Sequence, residues 1–255
     1  MCATCGCGDA GVRLVDLMAG HDHGHPHEHS HEHSHGGPSH TETLLIEERV
    51  LAKNDALARR NRTWLRDREV AAVNLMSSPG SGKTTLLERT VREWGAATPV
   101  WVIEGDQETT FDADRIKAAG APVLQINTGA GCHLDAEMVG AALLALEPRR
   151  GVVLVENVGN LVCPALFDLG EDARVVIMSV TEGADKPRKY PHIFASATLV
   201  LVNKIDLLPY VDFDLARFSR DIALVNPEAD LLQVSATRGD GLERWYDWLC
   251  ELPGR

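Results

Sequence analysis

Ser77-Ser78-Pro79-Gly80-Ser81-Gly82-Lys83-Thr84-Thr85 joins the apolar run Val70-Ala71-Ala72-Val73-Asn74-Leu75-Met76 to the helix-favouring Leu86-Leu87-Glu88-Arg89. A strand that stops in a glycine-rich turn and restarts as a helix aims backbone N–H groups and a positive helix end at one point, which suits a polyphosphate. In that reading Gly80, Ser81 and Gly82 curl the backbone around the phosphates, Lys83 reaches the β and γ groups, Thr84 offers its hydroxyl to magnesium, and Thr85 continues the first helical turn. The generic pattern G-x-x-x-x-G-K-[ST] has glycine where this chain has Ser77. The alternative is an ordinary polar turn, and the strand before and helix after it favour the phosphate loop.

Asn203-Lys204-Ile205-Asp206 follows the apolar run Thr198-Leu199-Val200-Leu201-Val202 and reads as a guanine selector. The Asp206 carboxylate can accept from guanine N1–H and N2–H; adenine has an unprotonated N1 and no amino group there. A bidentate contact of this kind discriminates by roughly 1–3 kcal/mol, by analogy with base-edge contacts in nucleic acids. Lys204 would lay its stem along the base, and Ser235-Ala236-Thr237 after the last strand supplies a backbone turn beside it. The nucleotide expected is GTP or GDP.

Two acidic strand ends lie between these motifs, Glu104-Gly105-Asp106 and Glu156-Asn157-Val158-Gly159. Asp106 and Glu156 can hold magnesium with Thr84, and the Gly159 N–H can approach the γ-phosphate. Lys83, Asp106 and Glu156 are the catalytic candidates, with Asp106 orienting the attacking water. Asp112 and Asp114 are either further candidates or solvated loop carboxylates. No glutamine or arginine finger stands out, so slow intrinsic turnover is expected.

Cys132-His133 and Cys163 follow two different strands, and two thiolates with an imidazole at one sheet edge can bind zinc or nickel with room for a fourth ligand. Packing cysteines are the alternative. If Cys163 is tied to the loop that senses the γ-phosphate, hydrolysis moves a metal ligand, and metal binding must alter nucleotide affinity or dimerisation in return. A dimer could supply the missing ligand. Cys2-x-x-Cys5-Gly6-Cys7 can wrap a soft ion with three thiolates and, once Met1 is removed, an α-amino group; nickel(II) accepts such a set. His21, His23, His25, His27, His29, His31, His33 and His35 form an interrupted run suited to weak, multisite nickel storage.

These groups need elements to position them. From Val70 onward short apolar runs alternate with helical stretches: Pro99–Ile103, Pro122–Ile126, Val152–Val155, Arg174–Val180, Thr198–Val202 and Leu231–Val234. They lack strict alternation, as strands covered on both faces do. The fold expected is α/β, a mainly parallel sheet flanked by helices with ligands at the carboxyl ends of its strands. Residues 1–40 have too few apolar side chains to offset ordering entropy and are expected to be disordered without metal. Ser39-x-x-Glu42 looks like a capping box opening a helix to about Arg68, so 41–69 reads as an N-terminal helix packed on a GTPase domain at 70–255. A last helix near Leu242 to Leu252 puts Trp245, Trp248 and Leu249 on one side, with Cys250 in a packing role.

Composition narrows the function. The chain has 25 Lys and Arg against 37 Asp and Glu, a net charge of −12 with neutral histidines, which argues against nucleic-acid binding. No apolar run approaches the ~20 residues of a membrane span, and the N-terminus lacks the basic-then-apolar order of a signal peptide. A cytoplasmic protein with reduced cysteines is expected, so cysteine spacing is read for metals before disulfides.

The chain resembles the HypB family of [NiFe]-hydrogenase nickel-incorporation GTPases. The resemblance runs from about Thr41 to the C-terminus through SSPGSGKTTLL, EGDQETTFDADRI, NTGAGCHLDA, ENVGNLVCPALFDLG, SVTEGADKPRKYPH and NKIDLLPY, and resumes in CATCGCG near the N-terminus. That family also carries serine at the position of Ser77. The resemblance implies a P-loop NTPase of SIMIBI type, a GTP-hydrolysing nickel metallochaperone. It implies a high-affinity nickel site at Cys2, Cys5 and Cys7, and a nickel or zinc site at Cys132, His133 and Cys163 at a metal- or GTP-dependent homodimer interface. The partners implied are a HypA-type zinc-binding accessory protein and the hydrogenase large-subunit precursor. Lys186 either reaches across a GTP-bound dimer or is a plain surface lysine. Two other functions fit the same residues: a nickel buffer in which the GTPase is only a carrier, and a sister GTPase serving another metalloenzyme.

Overall fold

The computed structural model describes residues 40–106, 111–129 and 131–252, with side chains from 48 onward. The chain divides into two units, Met1–Val50 and Leu51–Arg255. Of the first, the described part is the opening of one long helix; everything below concerns the second.

The elements are α1 (His40–Arg66), β1 (Val70–Ser77), α2 (Lys83–Glu93), β2 (Val100–Asp106), α3 (Phe111–Ala119), β3 (Val123–Asn127), α4 (Ala136–Leu146), β4 (Gly151–Glu156), β5 (Ala173–Ser179), α5 (Lys186–Lys189), α6 (Pro191–Ala195), β6 (Leu199–Asn203), α7 (Leu215–Val225), β7 (Asp230–Gln233) and α8 (Leu242–Cys250). The seven strands form one sheet in the order β3-β2-β4-β1-β5-β6-β7. Every pairing in it is parallel. β1 is the central strand and all of its residues are buried.

Strand geometry sends successive side chains to opposite faces. In β1, Ala71, Val73 and Leu75 meet Leu86, Leu87 and Val91 of α2, Ile116 of α3 and Trp245 and Leu249 of α8 on one face. Val70 and Ala72 turn the other way, to Leu65 of α1 and Val139 and Leu143 of α4. Met76 joins Phe194 of α6 and Phe218 and Ile222 of α7. With both faces covered, apolar residues are needed at most positions, Asn74 and Ser77 being the polar exceptions in β1, and each fully buried aliphatic side chain contributes roughly 1.5–3 kcal/mol.

The strands start and stop close to the apolar runs, with two differences that have a physical reason. Pro99 and Pro122 precede β2 and β3, as expected for residues with no N–H to give a ladder. β2 runs past its apolar part through Glu104-Gly105-Asp106, because these pair in register with Gln125, Ile126 and Asn127 of β3. The long helix ends at Arg66, short of Arg68; Ser39 lies outside the described residues. α8 buries Trp245 and Leu249, with Trp248 stacked on Trp245 at 5.5 Å between ring centroids. Cys250 is exposed. Among the described residues no helix is long and apolar enough to cross a membrane.

Two asparagines show why α1 sits where it does. Asn54 donates to the Asp168 carbonyl (2.8 Å) and accepts from the Ala136 N–H (2.9 Å). Asn61 donates to the carbonyls of Ala136 (2.8 Å) and Leu169 (2.9 Å). Both asparagines are buried. One helix thereby fastens the segment after Cys132-His133 to the segment after Cys163.

Candidate functional site

The carboxyl ends of β1, β2 and β4 open on a cavity of about 540 Å³, whose lining includes Gly80, Lys83, Thr84, Asp106, Glu156 and Gly159. The phosphate loop leaves β1 at Ser77 and enters α2 at Lys83. Gly80 has φ +75° and Gly82 φ +96°, the left-handed region that costs glycine least. At Gly82 space is also exhausted, since a Cβ there would lie 2.6 Å from Asn203 Nδ2. Lys83 Nζ donates to Ser77 Oγ at 2.8 Å and lies 4.0 Å from Glu156 Oε1. The serine that departs from the generic pattern is thus the residue that holds the lysine.

The Asn203-Lys204-Ile205-Asp206 segment buttresses the same loop. Asn203 Nδ2 donates to the Ser81 carbonyl at 2.9 Å, and its Oδ1 accepts from the Ala236 N–H at 3.0 Å. Lys204, with φ +62°, donates from Nζ to the Gly80 carbonyl at 2.7 Å. Ser235 Oγ donates to Asp206 Oδ1 at 2.6 Å, which orients that carboxylate. Thr237 gives its carbonyl to Arg89 Nη1 at 2.8 Å. The segments that follow β1, β6 and β7 therefore meet in one hydrogen-bonded cluster.

Beneath the loop lies a carboxylate cluster. The parallel register sets Glu104 of β2 directly beside Glu156 of β4, and both are buried. Oxygens of Glu104, Asp112 and Glu156 all lie within 4.8 Å of one another. Thr84 Oγ1 donates to Glu156 Oε1 at 2.9 Å. Burial first, and the Glu156 charge second, push the Glu104 carboxyl up to about 11. Burial also raises Glu156, against the opposing pull of Lys83. Among the described residues, Glu104 Oε2 and Glu156 Oε2 are buried with no donor N–H or O–H from any neighbour other than each other, and a hard divalent cation would satisfy both. Magnesium therefore fits this donor set of one hydroxyl and several carboxylate oxygens. Asp106 lines the cavity but lies outside the three-carboxylate cluster. Asp114 does not line the cavity, whereas Asp112 does.

Cys132, His133 and Cys163 come together from two loops, with one ligand atom of each within 4.8 Å of the others. Both cysteines are buried. Cys132 Sγ is 3.6 Å from His133 Nδ1, and the imidazole stacks on Phe167 with 4.0 Å between centroids. Burial lowers the His133 pKa, which keeps the ring neutral and able to ligate a metal. Cys163 opens a short 3-10 turn, Cys163–Leu166, which Asn160 helps to start by accepting the Val162 N–H at 2.8 Å. Cys2, Cys5, Cys7 and the histidines from His21 to His35 lie outside the described residues.

Comparison with known proteins gives this arrangement a family. The model for the CobW/HypB/UreG nucleotide-binding domain matches residues 71–233. The hydrogenase maturation factor HypB of Escherichia coli K12 is 52% identical over 214 residues, which cover 84% of this chain and 74% of the relative. The chain belongs to the HypB family of hydrogenase maturation factors. Two HypB crystal structures superpose on it. That from Archaeoglobus fulgidus has a TM-score of 0.74 at 41% identity, covering 78% of this chain and 98% of its own. That from Helicobacter pylori, solved in complex with nickel, has a TM-score of 0.75 at 36% identity, covering 78% and 94%. The P-loop NTPase fold follows from the family and from the sheet described above.

Three residues of this HypB-family site escape a reading by motif. The sequence groups Glu104 with the strand-end acids and gives the magnesium role to Asp106; only register puts Glu104 beside Glu156. Arg115 lines the phosphate cavity and pairs with Glu88 at 2.9 Å and Asp112 at 3.3 Å. Asn157 sits buried between the two loops. Lys186, placed by sequence either across a dimer or on the surface, has Nζ 3.3 Å from Ser78 Oγ and 3.4 Å from Glu182 Oε2 within its own chain.

Proposed function

We propose that this chain is a GTPase that couples nucleotide hydrolysis to the handling of nickel for [NiFe]-hydrogenase assembly. The observation that carries this reading is a shared segment: residues 156 to 163 begin at a carboxylate of the phosphate cavity and end at a thiolate of the Cys132/His133/Cys163 cluster. Guanine selection rests on Asp206, with Asn203, Lys204 and the Ser235-Ala236-Thr237 turn holding it. Magnesium would be held by Thr84 and Glu156, with Glu104 and Asp112 in the same cluster and Asp106 on the wall of the cavity. A magnesium ion there would supply positive charge to the phosphates of a bound nucleotide. Lys83 supplies a fixed positive charge to the same oxygens, and Gly159 an N–H.

The cargo is a soft or borderline metal, nickel or zinc, bound by two thiolates and a neutral imidazole with a coordination position left over. That position suits hand-over to a second protein or completion by a second copy of this chain. The upstream Cys2, Cys5 and Cys7, with the His21–His35 run, provide acquisition and storage. A HypA-type accessory protein and the hydrogenase large-subunit precursor are the partners this role requires.

Lys83→Ala tests the reading. Loss of hydrogenase maturation in cells, with nickel binding by the purified variant unchanged, is the expected result. Normal maturation would mean that the nucleotide site is only a carrier for a nickel buffer.

A further inference from the structure

We infer that Asn157 is the positioning residue that registers the metal-bearing loop against the nucleotide-facing loop. The inference deepens the coupling proposed above and rests on it. Asn157 is the first residue after β4 and is 1% exposed. Its Oδ1 accepts two backbone N–H groups, from Leu134 at 3.1 Å and Val158 at 3.0 Å. Leu134 directly follows His133; Val158 directly precedes Gly159 of the phosphate cavity. One oxygen atom is therefore shared by the two loops whose relative movement coupling requires.

The other half of the amide is fixed as firmly. Nδ2 donates to Asn74 Oδ1 at 3.1 Å, and the Asn157 main-chain N–H donates to the Leu75 carbonyl at 3.0 Å. Both partners belong to β1, the strand that delivers the phosphate loop. Donors and acceptors alternate onward: Asn74 Nδ2 to Glu171 Oε1 at 3.4 Å, and the Leu169 N–H to Glu171 Oε2 at 2.6 Å. The path thus reaches the segment that follows Cys163. No apolar side chain could accept both loop N–H groups, and an aspartate could not donate to Asn74.

Leu134 makes the register consequential. Its side chain is fully buried, and it sits so close over Gly105 that a Cβ there would lie 2.8 Å from Leu134 Cδ1. Gly105 is flanked by Glu104 and Asp106. A shift of Val158 on exchange of GDP for GTP would be felt at Leu134 through the shared oxygen, and from there at His133 and Cys132.

The test uses full-length protein with Cys2, Cys5 and Cys7 replaced by serine, so that thiolate-to-nickel absorption reports the second site. Nickel dissociation constants are measured with GDP and with a non-hydrolysable GTP analogue. We expect the parent to differ between nucleotides by about fivefold or more, within the usual range of allosteric coupling, and Asn157→Ala to bring the ratio to within twofold of one. Asn61→Ala, which loosens the same segments without touching the nucleotide loop, should weaken nickel in both states and keep the ratio. A folded Asn157→Ala variant that keeps the parental ratio overturns the assignment while leaving the coupling standing. A parental ratio of one removes both. Amide exchange of unmutated protein covers the case of a misfolded variant: protection at Leu134 and Val158 should change together on nucleotide exchange, and independent changes refute the shared-oxygen register.

Discussion

Gly105→Ala is the smallest change that should separate the two halves of the site. The backbone of Gly105 lies in β2 and needs no special φ, so the cost is steric alone. A Cβ would sit 2.8 Å from Leu134 Cδ1 and Cγ and 3.0 Å from Cδ2. Carbon atoms prefer about 3.5–4.0 Å, so Leu134 must retreat by up to about 1 Å. It has no free direction, being fully buried in the cluster with Ile103, Val139 and Leu169 while its N–H is held by Asn157. Overpacking of this kind costs about 1–3 kcal/mol, or roughly 2–12 °C in melting temperature for a domain of this size. Leu134→Ala alone should cost about 2–5 kcal/mol through its cavity. In the double variant the new methyl enters the vacated space, so the two losses should fall short of additivity by about 1–2 kcal/mol. Urea and thermal unfolding of the four proteins give the cycle. Gly105→Ala should also weaken nickel at the Cys132 site, because Leu134 carries His133 with it. Additive losses within about 0.5 kcal/mol would refute the contact as the origin of the effect.

Two further outcomes follow from the polar part of the site. The folded chain keeps the Glu104 proton up to about 11, whereas 4.5 is its ordinary value. In metal-free, nucleotide-free protein this contribution is therefore full below pH 4.5 and is lost as pH rises toward 11. Glu104→Gln should remove that slope, gaining about 3 kcal/mol at pH 7 and nothing near pH 4; parallel melting-temperature profiles in EDTA for the two proteins would refute it. Asp206→Asn should cost guanine binding roughly 1–3 kcal/mol and raise preference for xanthine nucleotides, whose C2 oxygen accepts from the new amide. An unchanged ratio of GDP to XDP affinity in competition titrations would exclude Asp206 as the selector.

What was legible in the sequence was whatever is local. The phosphate loop depends on one strand–turn–helix junction, and Ser77 to Thr85 carry it without help from the rest of the chain. Asn203 to Asp206 is likewise contiguous. The alternation of apolar runs with helices also sufficed for a doubly covered parallel sheet, because β1 needs Ala71, Val73 and Leu75 for one face and Val70 and Ala72 for the other. Register was not legible. Nothing in Glu104 or Glu156 taken singly says that they are neighbours on adjacent strands. Asn157 has the same difficulty: an asparagine after a strand looks like a turn residue until Leu134, some twenty positions earlier, is found donating to it. Lys186 lies outside every standard nucleotide motif, and only tertiary folding brings it to Ser78.

That division bears on how such a switch can work. Residues that recognise nucleotide are contiguous because a helix end or a strand end is a rigid local device that any neighbouring sequence can carry. Residues that transmit must belong to different segments, since a relay within one rigid segment has nothing to move against. The proposed metal ligands conform to this: Cys132 and His133 ride on one loop, Cys163 on another, and an asparagine oxygen joins those loops while the leucine after His133 packs on Gly105 of β2. α1 closes the arrangement on the far side through Asn54 and Asn61. With the far side clamped, the proposed movement of Val158 would pass to the Cys132-His133 end of its neighbour. A metal held there by two thiolates would be loosened most by moving one thiolate relative to the other, which is the movement the shared oxygen would pass on.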